Sequence, residues 1–221
     1  MDFLTRPILD GVELQQIQNR LNSDQLPWRD GKLTAGQQAA SVKKNAQLAP
    51  DSDLTHEITD LVTRKLREDP LIKSFCLMRK VHSLLVSKSE SGDGYGWHVD
   101  NPFSKHGRRD LSFTVFLSDE SAYSGGSLEI QGFDESSEFR LPAGHVLIYP
   151  SSSIHRVNNI SQGVRFVCVG WIESYIKSTE DRALLFGMDA GARGLLARYG
   201  RSDELDLIFQ AYTNAVRRLS D

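Results

Sequence analysis

The chain has 221 residues, enough for one substantial domain with a small appendage. Its 39% hydrophobic and 25% charged residues are those of an ordinary soluble globular protein rather than a disordered or fibrous one. A net charge of −3, with no long run of one sign, gives nucleic acid or an anionic membrane no electrostatic footing, and no apolar run approaches the roughly 20 residues that a bilayer span needs.

Residues 11–22 have helical spacing, with Val12, Ile17 and Leu21 roughly on one face. The stretch 29–47, rich in Gly, Ala, Gln and Lys, has no period and reads as irregular. A stronger helix is predicted over 52–68: Leu54, Ile58, Leu61, Val62 and Leu66 form an apolar stripe. Asp51 or Ser52 caps its start, and Pro70 marks the far side of its end. From 72 to 173 the texture turns to strands. Val81–Val86 is one. In Leu111–Ser118, Leu111, Phe113, Val115 and Leu117 share a face opposite Ser112, Thr114 and Ser118, with Phe116 the exception. Gly125-Gly126 and Pro142-Ala-Gly144 are turns, the first before Ser127–Gln131 and the second before the apolar run Val146–Tyr149. In the last strand, Val164–Ile172, Arg165 is in register with Val167, Val169 and Trp171. Helices then return. Ser178-Thr-Glu-Asp181 has capping-box spacing and opens a helix to about Phe186; Leu205, Ile208, Phe209, Tyr212, Val216 and Leu219 mark another over 203–219. Many short strands between helices predict a mainly β fold with flanking helices. It divides into a helical support region (1–74), a β-domain (75–175) and a C-terminal helical region (176–221).

Cys76 and Cys168 have neither zinc-site nor CxxC spacing and read as buried free thiols. Met1-Asp-Phe-Leu4 has no basic n-region and no apolar h-region. Both readings point to the cytoplasm.

The chemistry concentrates in His98-Val-Asp100 and His155. In an extended strand, residues i and i+2 point to the same side, so His98 and Asp100 can converge on one ion. Asn101-Pro102 ends that strand, leaving the pair at an open edge. His155 follows the buried run 146–149, and a barrel's return brings it opposite them. A lone His-x-Asp is common by chance; a distant His at another strand end, with Arg165 ten residues later, is not. Two imidazoles and a carboxylate leave three positions open on an octahedral ion, the arrangement of non-haem Fe(II) oxygenases, where a bidentate 2-oxo acid and O2 can bind. Three-ligand zinc offers no redox chemistry and leaves Arg165 unexplained. A buried arginine beside a metal needs an anion, and its fork matches a carboxylate. His56, His82, His106 and His145 have no such constellation and read as structural or solvated.

Five segments carry a family resemblance: Tyr95-Gly-Trp-His98-Val-Asp100-Asn-Pro; Arg109-Asp-Leu-Ser-Phe-Thr-Val-Phe-Leu-Ser118; Tyr123-Ser-Gly-Gly-Ser-Leu-Glu-Ile130; Leu141-Pro-Ala-Gly-His-Val-Leu-Ile-Tyr-Pro-Ser-Ser-Ser-Ile-His155-Arg-Val157; and Trp171-Ile-Glu-Ser. Over about residues 75–190 the chain resembles the bacterial PKHD-type hydroxylases, Fe(II)/2-oxoglutarate dioxygenases related to prolyl and lysyl hydroxylases. The resemblance implies a double-stranded β-helix (jelly-roll) core. It implies His98, Asp100 and His155 as iron ligands, Arg165 on the distal carboxylate of 2-oxoglutarate, L-ascorbate dependence, and succinate and CO2 as co-products. Relatives carry a 2-oxoglutarate-binding tyrosine nine or ten residues before the first histidine; here those positions are Ser89 and Lys88, and Tyr149 or Tyr95 is the candidate substitute. The kinship suggests a peptidyl residue as substrate, with Trp97, Asn101 and Arg109 as candidate contacts. The retained Asp100 speaks against a halogenase. The C-terminal helices suit a homodimer face, a lid or packing on the barrel. Two other classes compete: a cupin-like metalloenzyme that does not use 2-oxoglutarate, and a non-catalytic jelly-roll sensor or binding module.

Overall fold

The computed structural model describes residues 3–23, 25–34 and 41–220. In chain order its strands are β1 (Leu4–Pro7), β2 (Trp28–Asp30), β3 (Lys43–Lys44), β4 (Ala46–Leu48), β5 (Met78–Ser89), β6 (Gly94–His98), β7 (Phe103–Ser104), β8 (Gly107–Arg108), β9 (Leu111–Phe116), β10 (Tyr123–Gly125), β11 (Leu128–Gln131), β12 (Ser136–Phe139), β13 (His145–Pro150), β14 (His155–Val157), β15 (Ile160–Gly163) and β16 (Arg165–Ser174). The α-helices are α1 (Gly11–Leu21), α2 (Asp53–Glu68), α3 (Pro70–Cys76), α4 (Thr179–Tyr199) and α5 (Asp203–Leu219).

Two antiparallel sheets make the jelly-roll core. The larger runs β1-β13-β9-β16-β5-β4-β2 and the smaller β12-β11-β14-β6-β3. The alternation of β9 sorts the large sheet's two faces. Leu111, Phe113 and Val115 join Val86, Val146, Ile148, Cys168 and Ile172 in a dry core against Leu54, Ile58, Val62 and Leu66 of α2 and Ile72 of α3. Ser112 and Thr114 turn to the space between the sheets, where Phe116 packs with Leu147, Tyr149 and Val167. Phe116 breaks the polar pattern of its face because that face is itself enclosed.

Helix starts follow their side-chain chemistry. Asp10 and Glu13 form a reciprocal capping box on α1. Ser52 caps α2 by accepting from the Thr55 amide at 3.2 Å. Pro70 lies just past the end of α2 at Glu68, as expected, and it also opens α3: its missing N–H falls in a first turn that has no intrahelical acceptor for it, and Asp69 caps the Leu71 and Ile72 amides. Val12, expected on the inner face of α1, is exposed, because it lies five positions before Ile17 and so, at about 100° per residue, on the far side.

Three further expectations change. Of the stretch 29–47 read as irregular, residues 35–40 lie outside the described residues, but β3, β4 and the end of β2 fall within it. Strands of two or three residues are too short to show a period. The segment 1–74, expected as helical support, therefore also supplies β1 to β4 to the two core sheets. Helix α4 runs past Phe186 to Tyr199 despite Gly187, Gly191 and Gly194. Each glycine costs roughly 1 kcal/mol in a helix. Tertiary contacts offset it: Phe186 packs edge-on against Phe75, and buried Asp189 accepts from Ser74 at 2.6 Å and from Arg193 at 2.8 Å. Both cysteines are buried and free, as expected.

Candidate active site

His98 and His155 are register partners on the adjacent strands β6 and β14. The pairing sets the rings side by side, centroids 4.2 Å apart. The His98 Nδ1–H donates to the Gly96 carbonyl at 2.8 Å, and the His155 Nδ1–H to the Ser153 carbonyl at 2.9 Å. A carbonyl only accepts, so each ring is fixed in the tautomer that leaves the Nε2 lone pair free for a metal. Burial, then the neighbouring His155, holds His98 down at about 4, so it is neutral at pH 7.

Asp100 lies just beyond the end of β6, past exposed Val99. Its Oδ2 accepts from Ser112 Oγ at 2.6 Å and Trp171 Nε1 at 2.9 Å. These bonds hold the carboxylate against its neighbours. One potential ligand atom from each of His98, Asp100 and His155 lies within 4.8 Å of the others. Among the described residues this is the sole such cluster of three. Two oriented imidazoles and one anchored carboxylate are a donor set suited to a divalent transition metal with open positions.

Arg165 begins β16 beside the same cavity and is 3% exposed. Its guanidinium lies 5.4 Å from the Phe116 ring. It makes no ion pair among the described residues, and its Nε has no hydrogen-bond partner. Burial lowers its pKa, opposed by the hydroxyls of Tyr123 and Tyr149. A buried cation without a counter-charge is costly, and a carboxylate arriving from solution would remove the cost. Gly126 makes room for it, since a Cβ there would stand 3.1 Å from Arg165 Cδ.

The cavity, about 580 Å3, gathers every site residue proposed from sequence: His98, Asp100, His155, Arg165, Tyr149 and Tyr95, with Trp97, Asn101 and Arg109. Tyr149 is buried, its ring 5.1 Å from that of His155, and burial pushes its hydroxyl well above the ordinary value. Tyr95 stacks on His98 at 3.6 Å, and burial pushes it up to about 12. Ser89 pairs with Arg165 across the sheet and lines the cavity, whereas Lys88 turns to Trp28 and Glu90. The other histidines stay outside: His56 and His106 are exposed, and His82 Nε2 bonds the Arg108 carbonyl at 2.7 Å. Sequence reasoning did not single out Lys43, Tyr123, or the roles of Ser112 and Trp171. Tyr123, Ser112 and Trp171 stood within motif segments, but only the three-dimensional contacts give them a task.

The model of the 2OG-Fe(II) oxygenase superfamily matches residues 84–173, which span the triad and Arg165. A PKHD-type hydroxylase of Synechococcus sp. (strain CC9605) is 63% identical over 221 residues, covering 100% of both chains. A second from Prochlorococcus marinus (strain MIT 9313) is 53% identical over 219 residues, covering 99% of each. Among solved structures, a Pseudomonas putida prolyl-4-hydroxylase aligns with TM-score 0.56 at 16% identity, covering 78% of this chain and 92% of that one. A Trichoplax adhaerens prolyl hydroxylase bound to a hypoxia-inducible-factor peptide also gives 0.56, at 18% identity, covering 83% and 86%. At such identities the structures speak for the fold; the full-length relatives speak for the family, and this chain belongs to the PKHD-type hydroxylases, Fe(II)- and 2-oxoglutarate-dependent dioxygenases.

Proposed function

We propose that His98, Asp100 and His155 hold the Fe(II) ion and that Arg165 binds the distal carboxylate of 2-oxoglutarate. The observation that carries this is one cavity holding three pre-oriented candidate ligand side chains and a buried arginine with no acidic partner among the described residues. Bound there, Fe(II) and 2-oxoglutarate supply the O2 activation that couples release of succinate and CO2 to hydroxylation of a substrate C–H bond. The protein's residues position and shield. The Gly96 and Ser153 carbonyls keep both imidazoles in the metal-binding tautomer. Ser112 and Trp171 fix the Asp100 carboxylate. Phe116 and Leu128 exclude water around Arg165, and the Tyr149 and Thr114 hydroxyls stand ready for the same carboxylate. Tyr95, stacked on His98, is the weaker candidate for that task because it orients the ring instead. We further propose L-ascorbate as the reductant, a peptidyl residue as one candidate substrate, a cytoplasmic location, and residues 176–221 as a homodimer face. The peptide reading leans on the prolyl hydroxylase names of the structural neighbours.

Anaerobic titration with Fe(II) and then 2-oxoglutarate tests the assignment. Wild type should develop the visible charge-transfer absorption of a chelated 2-oxo acid. Arg165→Ala should need on the order of a hundredfold more 2-oxoglutarate for the same band, the loss of a charge-assisted bidentate pair. A wild-type protein that shows no band, or an Arg165→Ala protein that binds equally well, would overturn it.

A further inference from the structure

Two cations in the cavity are not used by the reading above. Lys43, on the edge strand β3, is 7% exposed and lines the cavity. Its one hydrogen-bond partner among the described residues is Thr34 Oγ1 at 3.2 Å, and that hydroxyl in turn donates to Gln47 at 2.7 Å. The ammonium also lies 5.2 Å from the centre of the Tyr95 ring. Among the described residues no carboxylate comes within ion-pairing distance, although Asp100 and Asp30 both act on it from farther off. Burial lowers Lys43 to about 8, so it still carries its charge at pH 7. Arg109 lies before β9 and stacks on Trp171 at 4.0 Å, the same indole that donates to Asp100. Its Nε is buried without a partner, and it too makes no ion pair among the described residues.

The charge balance of the cavity is therefore one-sided. Lys43, Arg109 and Arg165 face a single lining carboxylate, Asp100. Doubly charged Fe(II) and doubly charged 2-oxoglutarate cancel each other, and 2-oxoglutarate occupies Arg165. Lys43 and Arg109 then keep an excess of positive charge in the cavity, within a chain whose net charge is −3. A cavity of about 580 Å3 has room for a second small ligand beside 2-oxoglutarate. Unpaired cations held in place by Thr34 and Trp171 are a site waiting for an anion.

We propose that the substrate hydroxylated by this enzyme carries a carboxylate or equivalent organic anion, and that Lys43 and Arg109 bind that group beside the metal centre. This rests on the 2-oxoglutarate assignment of Arg165, because only then are these two cations left over.

The test uses full-length protein loaded with redox-inert Ni(II) and saturated with 2-oxoglutarate. Binding is followed by calorimetry and by the fluorescence of Trp97 and Trp171, both in the cavity wall. The probes are matched pairs: 4-acetamidobutanoate against 4-acetamidobutanamide, and a blocked tripeptide with central glutamate against its glutamine twin. The acidic member of a pair should bind about tenfold tighter or more. Lys43→Gln and Arg109→Gln should each remove most of that preference, and Lys43→Arg should restore it. Preference for the free acid assigns the anion to a small metabolite, and preference for the tripeptide to an acidic peptide; both support the proposal. Equal binding of acid and amide, preference surviving both charge removals, or no binding by either pair would overturn it. The 2-oxoglutarate titration of the same protein is read separately. If 2-oxoglutarate itself does not bind, the assignment of Arg165 fails rather than the anion preference alone.

Discussion

The two faces of the seven-stranded sheet are built from alternate residues of the same strands, and they do opposite things. In β16, Cys168 and Ile172 point into the dry layer under α2 and α3, while Arg165, Val167 and Trp171 point into the cavity. In β13, Val146 and Ile148 face the helices and Tyr149 faces His155. The dry face gains its free energy from apolar burial and close packing. The wet face holds polar and cationic groups that are costly to bury and are only partly satisfied by the protein itself. A one-residue register slip would exchange the two faces and destroy both, so the site's placement is set by the same hydrophobic pattern that stabilises the sheet.

This division can be broken from either side. The largest effect is expected at the ligands: His155→Ala should reduce metal-dependent succinate formation to background while leaving thermal stability nearly unchanged in the metal-free protein. A large loss of metal-free stability would show that the two faces are not separable. On the dry face, Ile58→Ala should cost about 3 kcal/mol in denaturant unfolding, the range for a buried aliphatic truncation, with Fe(II) affinity kept. Trp171→Phe removes one hydrogen bond to Asp100 and should weaken metal binding on the order of tenfold, measured by competition with a chelator. Unchanged affinity would mean that Ser112 alone suffices to hold the carboxylate.

The smallest effect concerns Lys43. Its folded value of about 8 lies below the ordinary 10.5, so between these the unfolded chain binds more protons than the folded one. Stability conferred through this group therefore rises with pH across that window, and the burial cost is felt in full below about 8. Relative to Lys43→Met, metal-free wild type should gain on the order of 1 kcal/mol from pH 8 to 9 in parallel denaturant titrations. A flat difference would mean that Lys43 is not buried in solution as it is in the structure.

The candidate ligands were legible from the His-x-Asp spacing and the motif around His155. The register of Arg165 with Val167 and Trp171 follows from strand geometry; β6 ends at His98, and the Asp100 side chain is held by its bonds to Ser112 and Trp171. The resemblance in the five motif segments named the chemistry. The long helix α2 was legible because its apolar stripe repeats over sixteen residues, and its cap is the residue next to it. Strands β2, β3 and β4 were not, since two or three residues cannot show a period, and they exist because β3 pairs with β6, β4 with β5 and β2 with β4. The continuation of α4 through three glycines was hidden for a similar reason: intrinsic propensity argued against it, and Ser74 and Phe75, more than a hundred residues earlier, decided it.

By itself, then, the sequence pointed to the class of fold, the candidate metal triad and the arginine proposed for the co-substrate, through strand periodicity, the His-x-Asp spacing and the family resemblance. Only the tertiary structure decided that Ser112 and Trp171 share one oxygen of Asp100, that Tyr123 stands beside Arg165, and that Lys43 and Arg109 face the same cavity. The two contacts to Asp100 join residues 12 and 71 positions apart, and a chain can state such contacts only once its sheets have closed.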